Sequence, residues 1–298
     1  MGAIEVEGLT IRYGATTAVD DVSFEVAEGE LFGLLGPNGA GKTTTLELIE
    51  GLRRPDSGSV RLLGSSPWPR DPALLRRVGV QLQASAFFEK LTAREQLRTF
   101  ARLYEVPVAT ADEWLERVGL AEKAATPVEK LSGGQAQRLS IACALVHDPE
   151  LVFLDEPTAA LDPQARRNLW DLIAGLQTSG RTIVLTTHYM DEAEVLCDRV
   201  AIMDAGRILQ LDTPAALVRG LDAPVRISVA PGQLTADEAA ALDGVDEVAE
   251  GTGLVLTTRR PADVLTRLAA DHRLDGLQVR AATLEDVFLA LTGREYRA

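Results

Sequence analysis

A glycine-rich stretch between a strand-like pattern and a helix-like pattern constrains this sequence more than any other feature. Residues 36–43 read GPNGAGKT; an apolar run of buried-strand length precedes them at 30–35, and helical spacing follows at 44–49. Glycines let backbone amides turn toward an anion, and a helix N-terminus adds a partial positive charge. The stretch therefore predicts a phosphate-binding loop that joins a strand to a helix.

The side chains of this loop suit nucleotide phosphates and a magnesium ion. Lys42 is placed to reach phosphate oxygens, and the Thr43 hydroxyl is expected to ligate Mg²⁺. The alternative is a glycine-rich turn without a ligand, which the flanking strand and helix patterns disfavour. The candidate phosphate-binding residues of this stretch are Gly36, Asn38, Gly39, Gly41, Lys42, Thr43 and Thr44.

Charge and cysteine usage narrow the class of protein. The formal net charge is −14 and no basic run occurs, so nucleic acid is not an expected partner, because phosphate backbones require clustered Lys and Arg. Cys143 and Cys197 lie far apart without a CxxC pattern, which favours buried thiols over a metal or redox site. Neither a signal-peptide pattern nor an apolar run near the roughly 20 residues of a membrane span is present. We therefore expect a soluble, cytoplasmic protein.

Strand and helix patterns alternate between residues 151 and 186, well after the phosphate loop. Strand-like runs at 151–154 and 182–186 bracket a helical pattern at 163–178, which predicts a βαβ unit with parallel strands. Short alternating strands also precede the phosphate loop, whereas residues 84–148 are mostly helical in pattern. We predict an α/β domain at 1–220, with a mixed sheet core, an antiparallel β subdomain and a helical subdomain.

The composition changes near Leu217, and residues 220–224 have the composition of a linker. Beyond it, short strand and helix patterns predict a small α+β domain at 221–298. This region has neither a phosphate loop nor a cluster of catalytic residue types. It is therefore expected to be an accessory module with a regulatory or dimerising role.

A second motif, LSGGQ at 131–135, lies before a helical pattern. With it the chain resembles the ATP-binding cassette (ABC) proteins, whose signature is this pentapeptide. The resemblance implies that Ser132, Gly133, Gly134 and Gln135 contact the γ-phosphate of an ATP held by the phosphate loop of a second copy. Two cassettes would then pair head to tail around two ATP molecules. A glycine-containing helix cap without this role is the alternative.

The apolar strand 151–154 ends in two carboxylates, Asp155 and Glu156, and resembles the Walker B element of the same family. Strand alternation points the two side chains in different directions. The resemblance implies that Asp155 belongs to the Mg²⁺ site and that Glu156 is the general base that polarises the attacking water. An ordinary exposed turn after a strand is the alternative.

Four further residues match the family in order and spacing. Tyr13 corresponds to an aromatic residue that stacks on adenine, and Gln83 to the Q-loop glutamine that senses Mg²⁺ and γ-phosphate. Asp162 resembles the D-loop aspartate and also suits the N-cap of the helix starting at Pro163. His188 resembles the switch histidine that contacts γ-phosphate, whereas an isolated histidine is more often structural. A half-buried packing role for Tyr13 remains the alternative, and Gln83 taken alone would not decide between a site role and none.

Within the family, the chain is similar to single-cassette subunits of the daunorubicin-resistance type. The phosphate-loop region, the TARE sequence at 92–95 and the ending at 283–293 carry this similarity. It implies an ATPase that drives export of drugs, antibiotics or lipid-like molecules, held on the inner face of the cell membrane by a separate ABC-2 type permease. Phe87 and Phe88 are candidate anchors for that permease, or alternatively part of a subdomain core.

Other family roles stay open at this point. An importer ATPase differs mainly in its membrane partner, and a soluble ABC ATPase acting on ribosomes or DNA would carry two cassettes or a long coiled-coil insertion. A non-catalytic ATP-binding scaffold would lack Glu156, His188 or the signature, all of which are present. The sequence therefore favours an active transport ATPase that uses ATP and Mg²⁺.

Overall fold

A mixed β-sheet organises the first 214 residues of the chain. The structure is a computed structural model that describes residues 2–81, 87–88, 90–159, 161–251 and 253–293. The chain divides into two units, the first ending at Pro214 and the second beginning at Ala215. This division falls shortly before the predicted boundary at residue 220, because the helix Pro214–Gly220 groups with the second unit.

The strands of the first unit form two sheets. In chain order they are β1 (Gly2–Tyr13), β2 (Thr16–Ala27), β3 (Leu31–Leu35), β4 (Ser57–Leu62), β5 (Val78–Gln81), β6 (Leu151–Asp155), β7 (Thr182–Thr187), β8 (Arg199–Asp204) and β9 (Arg207–Asp212). The larger sheet has the order β5-β6-β7-β3-β8-β9, parallel except for the antiparallel pair β8 and β9. The predicted parallel pairing across the βαβ unit is confirmed.

The larger sheet brings the ends of several motif-bearing strands to one edge. Strands β3, β6 and β7 are buried along their whole length, as expected for continuous apolar runs covered on both faces. The carboxyl ends of parallel strands lie at the same edge of a sheet, where α/β proteins bind their ligands. The phosphate loop after β3, Asp155 at the end of β6 and His188 after β7 therefore meet there.

An antiparallel sheet with the order β2-β1-β4 covers part of this core. Its strands alternate between buried and exposed residues, which matches one packed face and one solvated face. The rings of Phe24 on β2 and Phe32 on β3 stack with their centroids 5.0 Å apart. The predicted antiparallel β subdomain is thus joined to the core by aromatic packing.

Several helices of the first unit begin at residues whose side chains cap the helix. The helices of this unit are α1 (Lys42–Ile49), α2 (Pro72–Leu75), α3 (Ala93–Leu103), α4 (Ala109–Arg117), α5 (Gly133–Leu145), α6 (Pro163–Thr178) and α7 (Met190–Leu196). Capping boxes open α3 with Thr92 and Glu95, and α5 with Ser132 and Gln135. Asp162 caps α6 through the backbone N–H groups of the next turn.

Within the region 84–148, which is mostly helical in pattern, residues 92–119 form two helices. Helices α3 and α4 are separated at residues 104–108, where Glu105 has a φ of +60°. Pro107 explains the break, because proline has no N–H to donate and disfavours helical backbone at the residue before it. Among the described residues, every helix is too short or too polar to span a bilayer.

The second unit is a separate α+β layer structure. Its elements are α8 (Pro214–Gly220), β10 (Val225–Val229), α9 (Ala236–Ala240), β11 (Glu247–Glu250), β12 (Leu254–Thr258), α10 (Pro261–Ala270), β13 (Gln278–Arg280) and α11 (Leu284–Thr292). The strands pair antiparallel in the order β11-β12-β10-β13, the arrangement of a split βαβ or ferredoxin-like fold. Ile227, Leu256, Val264 and Leu268 form its buried core. The predicted fold class is confirmed for both units.

Candidate functional site

The phosphate loop requires glycine for two different physical reasons. Gly39 and Gly41 have φ angles of +82° and +101°, which L side chains rarely adopt. At Gly36, an added Cβ would lie 2.3 Å from the backbone oxygen of Met203 on β8, so this position leaves no room for a side chain. The backbone of the loop can therefore be built only with glycine here, while Asn38 stays exposed on its outer side.

Lys42 is held at the start of α1 by the loop itself. Its side chain is only 4% exposed, and Nζ donates to the backbone oxygens of Gly36 at 2.8 Å and Pro37 at 3.2 Å. Burial lowers the pKa of the ammonium group, while the nearby Glu156 and Asp155 carboxylates raise it. These contacts fix a cation inside the curve of the loop, where a phosphate group would bind.

Thr43 and Asp155 place two oxygen ligands side by side. The Thr43 hydroxyl donates to Asp155 Oδ1 at 3.3 Å, and the Thr186 hydroxyl donates to the same oxygen. Burial raises the pKa of Asp155, against the lowering effect of both hydroxyls. A hydroxyl and a carboxylate are the hard donors that Mg²⁺ takes alongside substrate phosphates and water, so this pair fits a magnesium ion.

Glu156 has an unusual backbone that directs its side chain into the site. Its φ of +48° lies in the left-handed region, which costs a non-glycine residue roughly 1–3 kcal/mol and is often found at active sites. The Glu156 N–H donates hydrogen bonds to two acceptors on Thr186, its backbone oxygen and its hydroxyl oxygen. Its Oε1 atom lies 3.3 Å from His188 Nδ1 and 3.7 Å from Lys42 Nζ. The structure thus brings the three predicted residues Lys42, Glu156 and His188 together.

The signature residues form an exposed helix start. Ser132 and Gly133 are exposed, and Ser132 and Gln135 bond each other through the α5 capping box. A Cβ on Gly134 would lie 3.0 Å from a methyl group of Leu161. The N-terminus of this helix is therefore accessible at the surface of the first unit.

The remaining predicted residues occupy different surroundings. Tyr13 is 44% exposed, and the guanidinium of Arg53 lies 5.6 Å from its ring centroid. Asp162 caps α6, so the structural role predicted for it is present. Thr44 is half-buried in the first turn of α1. Gln83 lies outside the described residues.

Sequence reasoning missed two side chains that support this site. Thr186 contacts both Asp155 and Glu156, and its only sequence signal is a hydroxyl within the apolar run of β7. Glu50, at the C-terminal end of α1, is 5% exposed, and neither carboxylate oxygen has a hydrogen-bond partner in the described chain. Burial, assisted by the Asp155 and Glu47 carboxylates, raises the pKa of Glu50 to about 9. A buried acid without partners is expected to be protonated at neutral pH.

Replacing Glu50 with glutamine should flatten the pH dependence of unfolding. Because the pKa of Glu50 is 4.5 ordinarily and about 9 when folded, the folded chain binds the extra proton between those values. Stability is therefore highest below the unfolded pKa and falls as pH rises, by at most about 1.4 kcal/mol per pH unit from this group. Urea unfolding from mildly acidic to mildly alkaline pH, followed by fluorescence of Trp68, Trp114 and Trp170, measures this slope in the first unit.

The control for this prediction is Glu105→Gln. Glu105 is 70% exposed and paired with Arg76, so removing its charge should leave the slope of the pH curve unchanged. Equal slopes for wild type and Glu50→Gln would contradict the assignment of a buried, protonated acid.

Together the fold and the phosphate loop define a P-loop NTPase fold of the α/β class. The profile of the ABC transporter family matches residues 19–159. The Nod factor export ATP-binding protein I of Ralstonia nicotianae is 41% identical, over 99% of this chain and 95% of that protein. The fluoroquinolones export ATP-binding protein of Mycobacterium tuberculosis is also 41% identical, over 98% of this chain and 94% of that protein.

Solved structures give the same result for the first unit. A structure described as the ATP-binding subunit of an ABC transporter superposes with a TM-score of 0.67 at 31% identity, covering 73% of this chain and 92% of that one. The chain belongs to the family of ABC transporter ATP-binding proteins. It is an ATP-hydrolysing subunit that works with a transmembrane partner, as the resemblance of its motifs predicted.

Proposed function

We propose that this chain is the ATPase of an ABC-2 type exporter, in which two copies close head to tail around two MgATP molecules. The observation that carries the proposal is the Glu156 carboxylate lying within 4 Å of both His188 and Lys42 at the edge of the larger sheet. This is the geometry that hydrolysis of a phosphoanhydride needs, because a base and a phosphate-binding cation must face the same reacting group.

Each residue of the site takes a distinct part in hydrolysis. Glu156 accepts the proton of the attacking water, His188 contacts the γ-phosphate, and Lys42 with the loop amides binds the phosphate oxygens. Thr43, Asp155 and Gln83 hold Mg²⁺, which neutralises charge on the phosphates when bound. Tyr13 stacks on the adenine ring, an interaction worth about 1 kcal/mol.

The second half of each site comes from the other copy. Ser132 and Gly133 are exposed at the start of α5, so they are available to a γ-phosphate held by a facing phosphate loop. Asp162, Gly134 and Gln135 complete the surface proposed to face the partner. Binding of ATP then favours the closed pair only as far as ATP binds that state better than the open one.

The export direction is supported by full-length similarity to two proteins named as exporters. Both alignments extend over nearly the whole chain and so include the second unit. We infer a cargo of drug, antibiotic or lipid-like character, handled by a separate permease on whose cytoplasmic face this subunit sits. The module at 221–298 has a regulatory or dimerising role.

Contact with the permease is assigned to the surface near Phe88. Phe88 is 51% exposed and Phe87 is half-buried, so Phe88 in particular is not part of a subdomain core. Exposed aromatic side chains are typical anchor points for a short amphipathic helix.

The test is co-purification of the tagged chain from its native membranes in MgATP. A multi-span permease should accompany the wild type and the control Val195→Glu, which changes another exposed apolar residue, but not Phe88→Glu. Recovery of ribosomal or DNA-associated proteins without a membrane protein would overturn the transport role. Recovery of a permease with a periplasmic binding protein would instead establish import.

A further inference from the structure

Glu192 is a fully buried acid next to the catalytic segments that the mechanism above does not use. It lies on α7, and its exposed fraction is 0%. Its Oε1 atom accepts a hydrogen bond from the indole N–H of Trp170 at 3.1 Å. Burial raises the pKa of Glu192, while the nearby hydroxyls of Thr187 and Thr158 lower it, so both hydroxyls lie against the same carboxyl group.

The three neighbours of this carboxyl belong to three different functional segments. Thr187 directly precedes His188 at the end of β7, and Thr158 follows Glu156 by two residues. Trp170 lies on α6, the helix capped by Asp162. Glu192 therefore contacts the segment that holds His188, the turn that follows Glu156, and helix α6.

A second contact joins α6 to the histidine segment. The guanidinium of Arg166 lies 4.1 Å from the ring centroid of Tyr189, which itself packs against the His188 ring at a centroid distance of 4.1 Å. The Tyr189 N–H donates to the Thr187 hydroxyl at 2.9 Å. Helix α6 therefore contacts the segment that holds Thr187 and His188 at two places, the Tyr189 ring and the buried Glu192 carboxyl group.

Packing alone does not account for an acid at this position. An apolar side chain of similar size would fill the space without the desolvation cost of a carboxyl group. The Oε2 atom of Glu192 and the Thr158 hydroxyl are both buried, and neither makes a hydrogen bond of normal geometry with the described residues. A small approach of these two groups would pair them, which makes the carboxyl group sensitive to the position of the turn that follows Glu156.

We propose that Glu192 is a positioning residue for ATP hydrolysis, which holds the His188 segment and the turn after Glu156 in register with α6. The proposal rests on the catalytic roles assigned above to Glu156 and His188. Hydrolysis is sensitive to such positioning, because a misplacement of about 1 Å in a catalytic group can cost about 10²-fold in rate.

The test is steady-state ATPase kinetics of the purified full chain with Glu192→Gln, Trp170→Phe and the two combined. We expect kcat to fall by about 10-fold or more for Glu192→Gln, with KM for ATP within about 2-fold of wild type, because binding groups are untouched. The milder Trp170→Phe should lower kcat less. The double variant should be no worse than Glu192→Gln alone, since both changes alter the same contact between the Glu192 side chain and the Trp170 indole.

Two controls make the outcomes distinct. Glu194→Gln places the same change at an exposed position of α7 and should leave kcat unaltered. Glu156→Gln, assayed in parallel, tests the proposed function itself. Wild-type kcat in both Glu192→Gln and Trp170→Phe, or losses that only follow the folded fraction, would overturn the positioning role. Retained activity in Glu156→Gln would instead overturn the proposed base.

Discussion

Replacing Glu156 with glutamine should lower kcat for ATP hydrolysis by about 10²–10⁴-fold, the usual contribution of a general base. Glutamine keeps the size of the side chain and one acceptor oxygen but cannot take the proton of water. Lys42 keeps its bonds to the loop oxygens at 2.8 and 3.2 Å, so ATP binding should persist. The expected signature is therefore a low kcat without a matching rise in KM.

The same variant should accumulate the closed pair of subunits. If hydrolysis reopens the pair, blocking it leaves ATP bound and shifts the population toward the dimer. Gel filtration in MgATP should then show a dimer for Glu156→Gln. Glu150→Gln is the matched control, because Glu150 lies next to the start of the same strand, is 57% exposed and pairs with Arg77. A monomer for Glu156→Gln under these conditions, or wild-type kcat, would contradict both assignments.

Replacing Lys42 with alanine should weaken ATP binding by about 10²-fold or more, since hydrogen bonds to charged groups contribute roughly 1.5–3 kcal/mol each. The substitution removes the buried cation of the loop and also leaves Glu156 without its neighbour at 3.7 Å. Calorimetric titration with ATP measures this change directly. An affinity within a few-fold of wild type would show that the ammonium group does not contact the phosphates.

The phosphate loop and the βαβ unit could be predicted because their signals are local. The strand β7 and the helix α6 follow from apolar runs, a proline at the first helical position and an aspartate cap. Strands β8 and β9 were not predicted, although β8 pairs directly with β3 beside the loop. The sequence does carry a signal for β8, the apolar run at 200–203, whereas β9 alternates only weakly and is recognised by its pairing with β8.

The parts of the site that the sequence missed depend on distant contacts. The supporting roles of Thr186, Glu50 and Glu192 depend on tertiary contacts with residues that are distant in the sequence. Thr186 meets Asp155 across a strand pair, and Glu192 meets Trp170 across two helices. The motif residues, in contrast, could be found because their function requires fixed local spacing. This difference explains why the motif residues could be singled out from the sequence and their supporting residues could not.

The most direct test of a site shared between two copies is complementation between two inactive chains. Lys42→Ala damages the phosphate loop, and Ser132→Arg damages the exposed start of α5. A mixed dimer retains one intact loop facing one intact signature, so an equal mixture should recover about a quarter of wild-type ATPase activity if the dimer is head to tail. A chain carrying both substitutions, mixed with Lys42→Ala, should stay inactive. Full inactivity of the first mixture would contradict the shared site.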